Sequence, residues 1–130
     1  MAGTLVITTL SDGTNSTSST NCIKGSAKAW GNFSAQSGTI TVRGSYNVSS
    51  ITRQSTGNYT INFTTAMADI NYSIATSGGT GGGGGLAILY PYNSGNNPTA
   101  PTTSAFQMWN ASTGATAFDN YYYAFSVFGN

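Results

Sequence analysis

The sequence predicts an all-β protein, a single-domain antiparallel β-sandwich of jelly-roll or immunoglobulin-like type, with a small barrel as second choice. Three observations carry that expectation. Apolar and polar residues alternate with period two from Thr39 to Val48 and again from Tyr59 to Thr64. Short apolar runs recur between turn residues, giving about seven to nine strands. No window holds apolar residues at helical spacing, and Leu is scarce.

Taken in order, Gly3–Leu10 reads as a strand with Leu5 and Ile7 on one side. Residues 11–21 are small and polar, opened by Asp12-Gly13, and read as a turn followed by an extended linker. Residues 1–21 are therefore expected to form an arm and linker, and residues 22–130 the sandwich. Ala27–Phe33 is a strand that points Trp30 one way and Phe33 the other. After a turn at 35–38, Thr39–Val48 places Ile40, Val42, Tyr46 and Val48 on one face. Residues 51–53 continue it, 54–58 turn, and Tyr59–Thr64 return with Tyr59, Ile61 and Phe63 facing the core. Tyr72–Thr76 follows a reversal at 66–71. Residues 77–85, almost all glycine, read as a flexible loop. Leu86–Tyr90 is a strand stopped by Pro91, and 92–103 is a Pro- and Asn-rich loop. Phe106–Asn110 and Tyr121–Phe128 are the last two strands, with a turn at 111–114 between them.

Composition sets the chemistry. Ser, Thr, Asn and Gly make up more than half of the 130 residues, while charged residues are 5% against a usual figure of about 25%. Net charge is +1 and aromatics reach 12%, which separates this chain from disordered tails of high net charge. So little charge removes a usual guard against self-association and points to life within an assembly. Cys22 is the lone cysteine, which excludes an intrachain disulfide and fits a reducing compartment. No signal-peptide pattern and no apolar run of membrane length is visible, so no membrane partner is expected. The frequent Asn-X-Ser/Thr triplets follow from composition.

Catalytic and cofactor chemistry finds little support. There is no histidine and no glutamate, and the acids are Asp12, Asp69 and Asp119. A Ser-His-Asp or Cys-His arrangement is impossible within one chain. Each Asp sits in a turn context, where its side chain bonds nearby amides. The scattered acids and one thiol lack metal-ligand spacing. The glycine run is followed by Leu-Ala-Ile-Leu-Tyr, not by the Lys-Ser/Thr and helix of a phosphate loop. No enzyme activity, cofactor or nucleic-acid partner is expected. Lys24, Lys28, Arg43 and Arg53 all fall within one thirty-residue stretch and read as a solvated strand face or a contact with an acidic partner. With Leu5, Val6, Ile7 and Tyr122 they are the candidate subunit contacts. Tyr90, Tyr92 and Trp109 are the candidate exposed contacts to a receptor or glycan, because aromatic rings stack on sugars.

From Asp12-Gly-Thr-Asn-Ser-Thr, through Lys24-Gly-Ser-Ala-Lys-Ala-Trp30-Gly-Asn-Phe33 and Gly38-Thr-Ile-Thr-Val-Arg-Gly-Ser-Tyr-Asn-Val-Ser-Ser-Ile51, to Gly57-Asn-Tyr-Thr-Ile-Asn-Phe-Thr-Thr-Ala-Met67, the chain resembles a β-rich module of tailed-bacteriophage structural proteins. That module stands often at tail-fibre ends and sometimes as a short separate protein. Asp119 and the closing Val127-Phe128-Gly129 resemble its last strand. The likeness covers residues 11–76, more loosely 104–130, and lapses at 77–103. It implies a virion structural role, with assembly in the host cytoplasm and a homo-oligomer, trimer favoured, as the acting form. A fibre protein is expected to carry a docking region and shaft before its tip. The few residues ahead of the module therefore favour a capsid-decorating (cement or head-fibre) subunit on a major capsid protein. A tail-fibre tip or adhesin that meets a host-surface glycan is the alternative.

Overall fold

The computed structural model describes residues 3–79, 88–90, 100–111 and 117–129. The chain opens with a small unit of its own. Strands β1 (Thr9–Ser11) and β2 (Ser16–Ser18) pair antiparallel. Asp12 closes the turn between them, its Oδ1 accepting from the amides of Thr14 (3.0 Å) and Asn15 (2.7 Å), with Gly13 at φ +94°. Helix α1 (Ser19–Gly25) follows at once. Ser18 caps it, its Oγ accepting from the Asn21 amide at 3.1 Å. The Ser26 amide donates to the Cys22 carbonyl, and Lys28 Nζ donates to the Ile23 carbonyl at the far end. So the expected extended linker is a hairpin and a helix, and residues 3–7 carry no strand. The local cause is a side-chain cap in a Ser/Thr-rich run, a signal that apolar periodicity does not contain.

The sandwich follows. Its strands are β3 (Ala29–Ser34), β4 (Thr41–Tyr46), β5 (Val48–Ser55), β6 (Asn58–Phe63), β7 (Ser73–Gly79), β8 (Ile88–Tyr90), β9 (Ala105–Ala111) and β10 (Tyr122–Phe128). They form two antiparallel four-stranded sheets, ordered β4-β3-β10-β7 and β5-β6-β9-β8. Neither closes into a barrel among the described residues. Phe33, Tyr123, Phe125 and Val127 of the first sheet meet Tyr59, Ile61, Phe63, Phe106 and Met108 of the second, and all are buried. Aromatic contacts cross the interface, with Phe33 edge-on to Tyr59 at 5.4 Å and Phe106 edge-on to Phe125 at 5.3 Å. The Phe125 ring lies over Gly31, where a Cβ would come within 2.6 Å of it. Only glycine leaves room for that ring.

The stretch 39–48 departs from its expected single strand. Asn47 sits at φ +54° and turns the chain from the first sheet into the second. Its amide clamps the corner: Nδ2 donates to the carbonyls of Lys28 and Thr65 (3.0 Å each), and Oδ1 accepts from the Thr65 amide at 2.7 Å. Between β3 and β4 the register shifts, so that Asn32 pairs with Gly44 but Phe33 with Val42. That bulge reverses the alternation beyond Arg43. Tyr46 therefore lies outside, opposite Trp30. Val42 stays 47% exposed on an edge strand that overhangs the core. Of the expected core face, Ile40 and Val48 pack against the core, whereas Val42 and Tyr46 do not.

Two further boundaries moved. β7 runs on through Ser77, Gly78 and Gly79, paired with Ala124, Tyr123 and Tyr122, so the glycine run begins as strand. The rest of that expected loop, most of the 92–103 loop and the 111–114 turn from residue 112 onward lie outside the described residues. The expected hairpin of residues 51–64 is present, turning at Gly57 with φ +70°.

Candidate functional site

Arg53, the candidate contact on β5, turns inward to Asp119. Its Nη2 lies 2.8 Å from Asp119 Oδ2 and its Nε 3.1 Å from the same oxygen. Asp119 Oδ1 also accepts from the Gly57 amide (3.0 Å) and the Tyr59 hydroxyl (2.6 Å). The Tyr59 hydroxyl is 3.1 Å from that of Tyr123, which in turn accepts from Asn110 Nδ2 (2.9 Å) and the Asn120 amide (2.8 Å). This network ties β5, β6, β9 and β10 together at one end of the sandwich. Burial alone would raise the Asp119 carboxyl, but the hydrogen bonds from Arg53, Gly57 and Tyr59 outweigh it and hold the carboxyl below its ordinary range. Burial, with the Asp119 and Tyr123 hydrogen bonds, pushes Tyr59 far up. A carboxylate kept ionised, fully bonded and paired with a fixed guanidinium suits a clamp. Sequence reasoning placed Asp119 in a turn and missed its long-range partner, because nothing local links positions 53 and 119.

The N-terminal unit has the opposite character. Leu5 and Val6 are 82% and 87% exposed, and Ile7, Leu10 and Ile23 are exposed as well. With Ser19 and Cys22 these residues line a hollow of about 360 Å³. Leu5, Val6 and Ile7 thus line one hollow, where a strand would have set Val6 opposite Leu5 and Ile7, and Leu10 and Ile23 join them unforeseen. Lys24 stands exposed in the last turn of α1, where its charge complements the helix end. Lys28 is occupied by the Ile23 carbonyl and Ser26 Oγ. The four cations do not form one patch.

The outer face of the β4-β3-β10-β7 sheet gathers Arg43 and Tyr122 with three aromatics that the sequence did not mark as a site. Trp30 is 42% exposed and Tyr46 57%. The Trp30 indole edge lies over Gly44, where a Cβ would meet it at 3.5 Å. The Arg43 guanidinium lies 4.7 Å above the Tyr121 ring centre and 5.9 Å from that of Tyr122. Nη2 donates to the Tyr121 carbonyl (2.9 Å) and Nη1 to Asn32 Oδ1 (3.4 Å). The signal for this face was the period-two pattern of β3, but the bulge that brings Tyr46 to it was hidden. Beside Tyr46 a second hollow, about 520 Å³, is lined by Lys28, Asn47 and Met67 among others.

Of the expected exposed aromatics, Trp109 is half-buried on β9, cross-strand from Tyr90 on one side and Asn58 on the other. Tyr92 lies outside the described residues, as does the side chain of Tyr90. Comparison of the chain with protein-family models, with curated proteins and with solved structures returns no match.

Proposed function

We propose that this chain is a non-enzymatic structural protein of a tailed-bacteriophage virion, a capsid-decorating subunit that acts as a homo-oligomer, trimer favoured. The resemblance at residues 11–76, and more loosely at 104–130, supports the virion role. The observation that carries the decorating role is the N-terminal unit, which presents Leu5, Val6, Ile7, Leu10 and Ile23 without covering them. Monomeric proteins seldom leave such a cluster bare, and a neighbouring subunit or a major capsid protein would cover it. Residues 3–7, which belong to no helix or strand, suit strand addition to a neighbour. The sandwich then serves as the rigid body that the unit attaches to the particle.

The test is binding of purified protein to expanded capsids. Saturation at a fixed stoichiometry is expected, with loss of binding when residues 1–10 are deleted and the sandwich stays folded. Attachment only to tails or to host cells would replace this reading with the second one, a tail-fibre tip or adhesin. The exposed aromatic face around Trp30 is the observation that favours that second reading.

A further inference from the structure

We propose that the outer face of the β4-β3-β10-β7 sheet binds an acidic oligosaccharide, with Trp30 and Tyr122 as stacking platforms and Arg43 as the partner of a sugar carboxylate. The inference rests on this face alone and holds for either virion location.

Sheet register lays out the site. Trp30 pairs with Tyr46 on one side and Ser126 on the other. Tyr122 lies four residues from Ser126 along β10, so the two aromatic rows stand about 13 Å apart at about 3.3 Å per residue. Between them the floor is made of small side chains: Asn32 and Ala124 occupy one cross-strand row, continued by Ser77, and Gly44 ends that row beneath the Trp30 indole. Two aromatic ridges with a shallow polar trough between them match a short chain of sugar rings. The apolar faces of such rings stack on aromatics while their hydroxyls need donors and acceptors. A second copy of this protein fits less well, because the centre of a protein interface is a continuous apolar patch and this centre is Asn, Ala and Ser.

Two features show that the platforms are held ready. The Trp30 indole rests on Gly44, which steadies the ring on the sheet while the residue stays 42% exposed. Arg43 is fixed by stacking on Tyr121 and by bonds to the Tyr121 carbonyl and Asn32, so little rotamer freedom is left to lose on binding. The acid specificity follows from its charge. Asp119 is taken by Arg53, Asp12 closes the β1–β2 turn, and Asp69 bonds the Asn71 amide, so among the described residues no side-chain carboxylate pairs with Arg43. Its remaining N–H donors suit a carboxylate.

The test is a glycan array bearing neutral, uronic-acid and sialic-acid oligosaccharides, followed by calorimetry with the acidic oligosaccharide that binds best and with its carboxyl-reduced form. The acidic form should bind at least about tenfold more tightly than the reduced form. Trp30→Ala should weaken both about tenfold. Arg43→Gln should bring the acidic form down to the level of the reduced one and leave the latter unchanged. Circular dichroism checks each fold, and Tyr122→Ala serves as the stacking variant should Trp30→Ala unfold. Absence of binding to every acidic oligosaccharide overturns the proposal. So does full binding by folded Trp30→Ala and Tyr122→Ala. A fall in oligomer mass in folded Trp30→Ala, without sugar binding by the wild type, would make the face an interface between copies instead.

Discussion

Residues 3–26 and the sandwich that follows are built from the same small vocabulary, yet they treat apolar side chains in opposite ways. The sandwich closes Phe33, Tyr59, Ile61, Tyr123 and Val127 away from water entirely. The N-terminal unit turns and caps its backbone locally but buries none of its helix residues. One region has its own core and the other has a face in search of one. Local hydrogen bonding can shape a segment, but the stability of a segment comes from what it buries.

The contrast can be broken at its strongest point first. Phe33→Ala removes a fully buried ring that stacks on Tyr123 at 4.8 Å, and should cost about 4 kcal/mol in urea unfolding. A cost below about 1 kcal/mol would mean that the sandwich is not self-sufficient. Asp119→Asn keeps the shape but strips the carboxylate of its charge toward Arg53, and should cost about 2 kcal/mol at pH 7. Because the folded-state pKa is lowered, this contribution is present above the ordinary carboxylate value and is lost as the pH falls through the lowered folded one. Unfolding curves of wild type and Asp119→Asn should therefore converge in acid. Asn47→Ala loses three corner hydrogen bonds and sits poorly at positive φ, for roughly 1–2 kcal/mol by the same assay. Smallest of all, Leu5→Ser with Val6→Ser should change unfolding of the isolated protein by less than about 0.5 kcal/mol. The same pair should reduce self-association in sedimentation. A large loss of monomer stability would show that the arm packs on its own sandwich.

Much of the framework was legible in the residues themselves. The alternation of Tyr59, Ile61 and Phe63 gave one strand of the core directly, since a strand with one wet face must alternate. Asp12-Gly13 gave the turn, because a carboxylate there bonds the next amides. What stayed hidden depends on partners far away in sequence. The bulge opposite Phe33 is a property of a strand pair, so Tyr46 looked like core when β4 was read alone. The pairing of Arg53 with Asp119 bridges 66 positions, and no local pattern announces it. Helix α1 is too short for periodicity, and only Ser18 and its bond to Asn21 betray it. The aromatic face needed Trp30, Tyr46, Arg43 and Tyr121 from three separate segments, whereas the sequence suggested Tyr90, Tyr92 and Trp109 by residue type.

The place of β10 has a consequence for how the protein is made. This strand is the last of the ten described in sequence, yet it lies between β3 and β7, and the Val127 carbonyl accepts from the amide of Lys28. The first sheet thus has a gap in its middle until residues 122–128 arrive, and β3 waits with one edge unpaired through the synthesis of nearly the whole sandwich. Closing so long a loop is slow, and an open strand edge is sticky meanwhile. A chain cut short before residue 122 would never acquire the sheet that carries its aromatic face. Arrival of residues 122–128 is thereby built into the fold as a checkpoint for assembly.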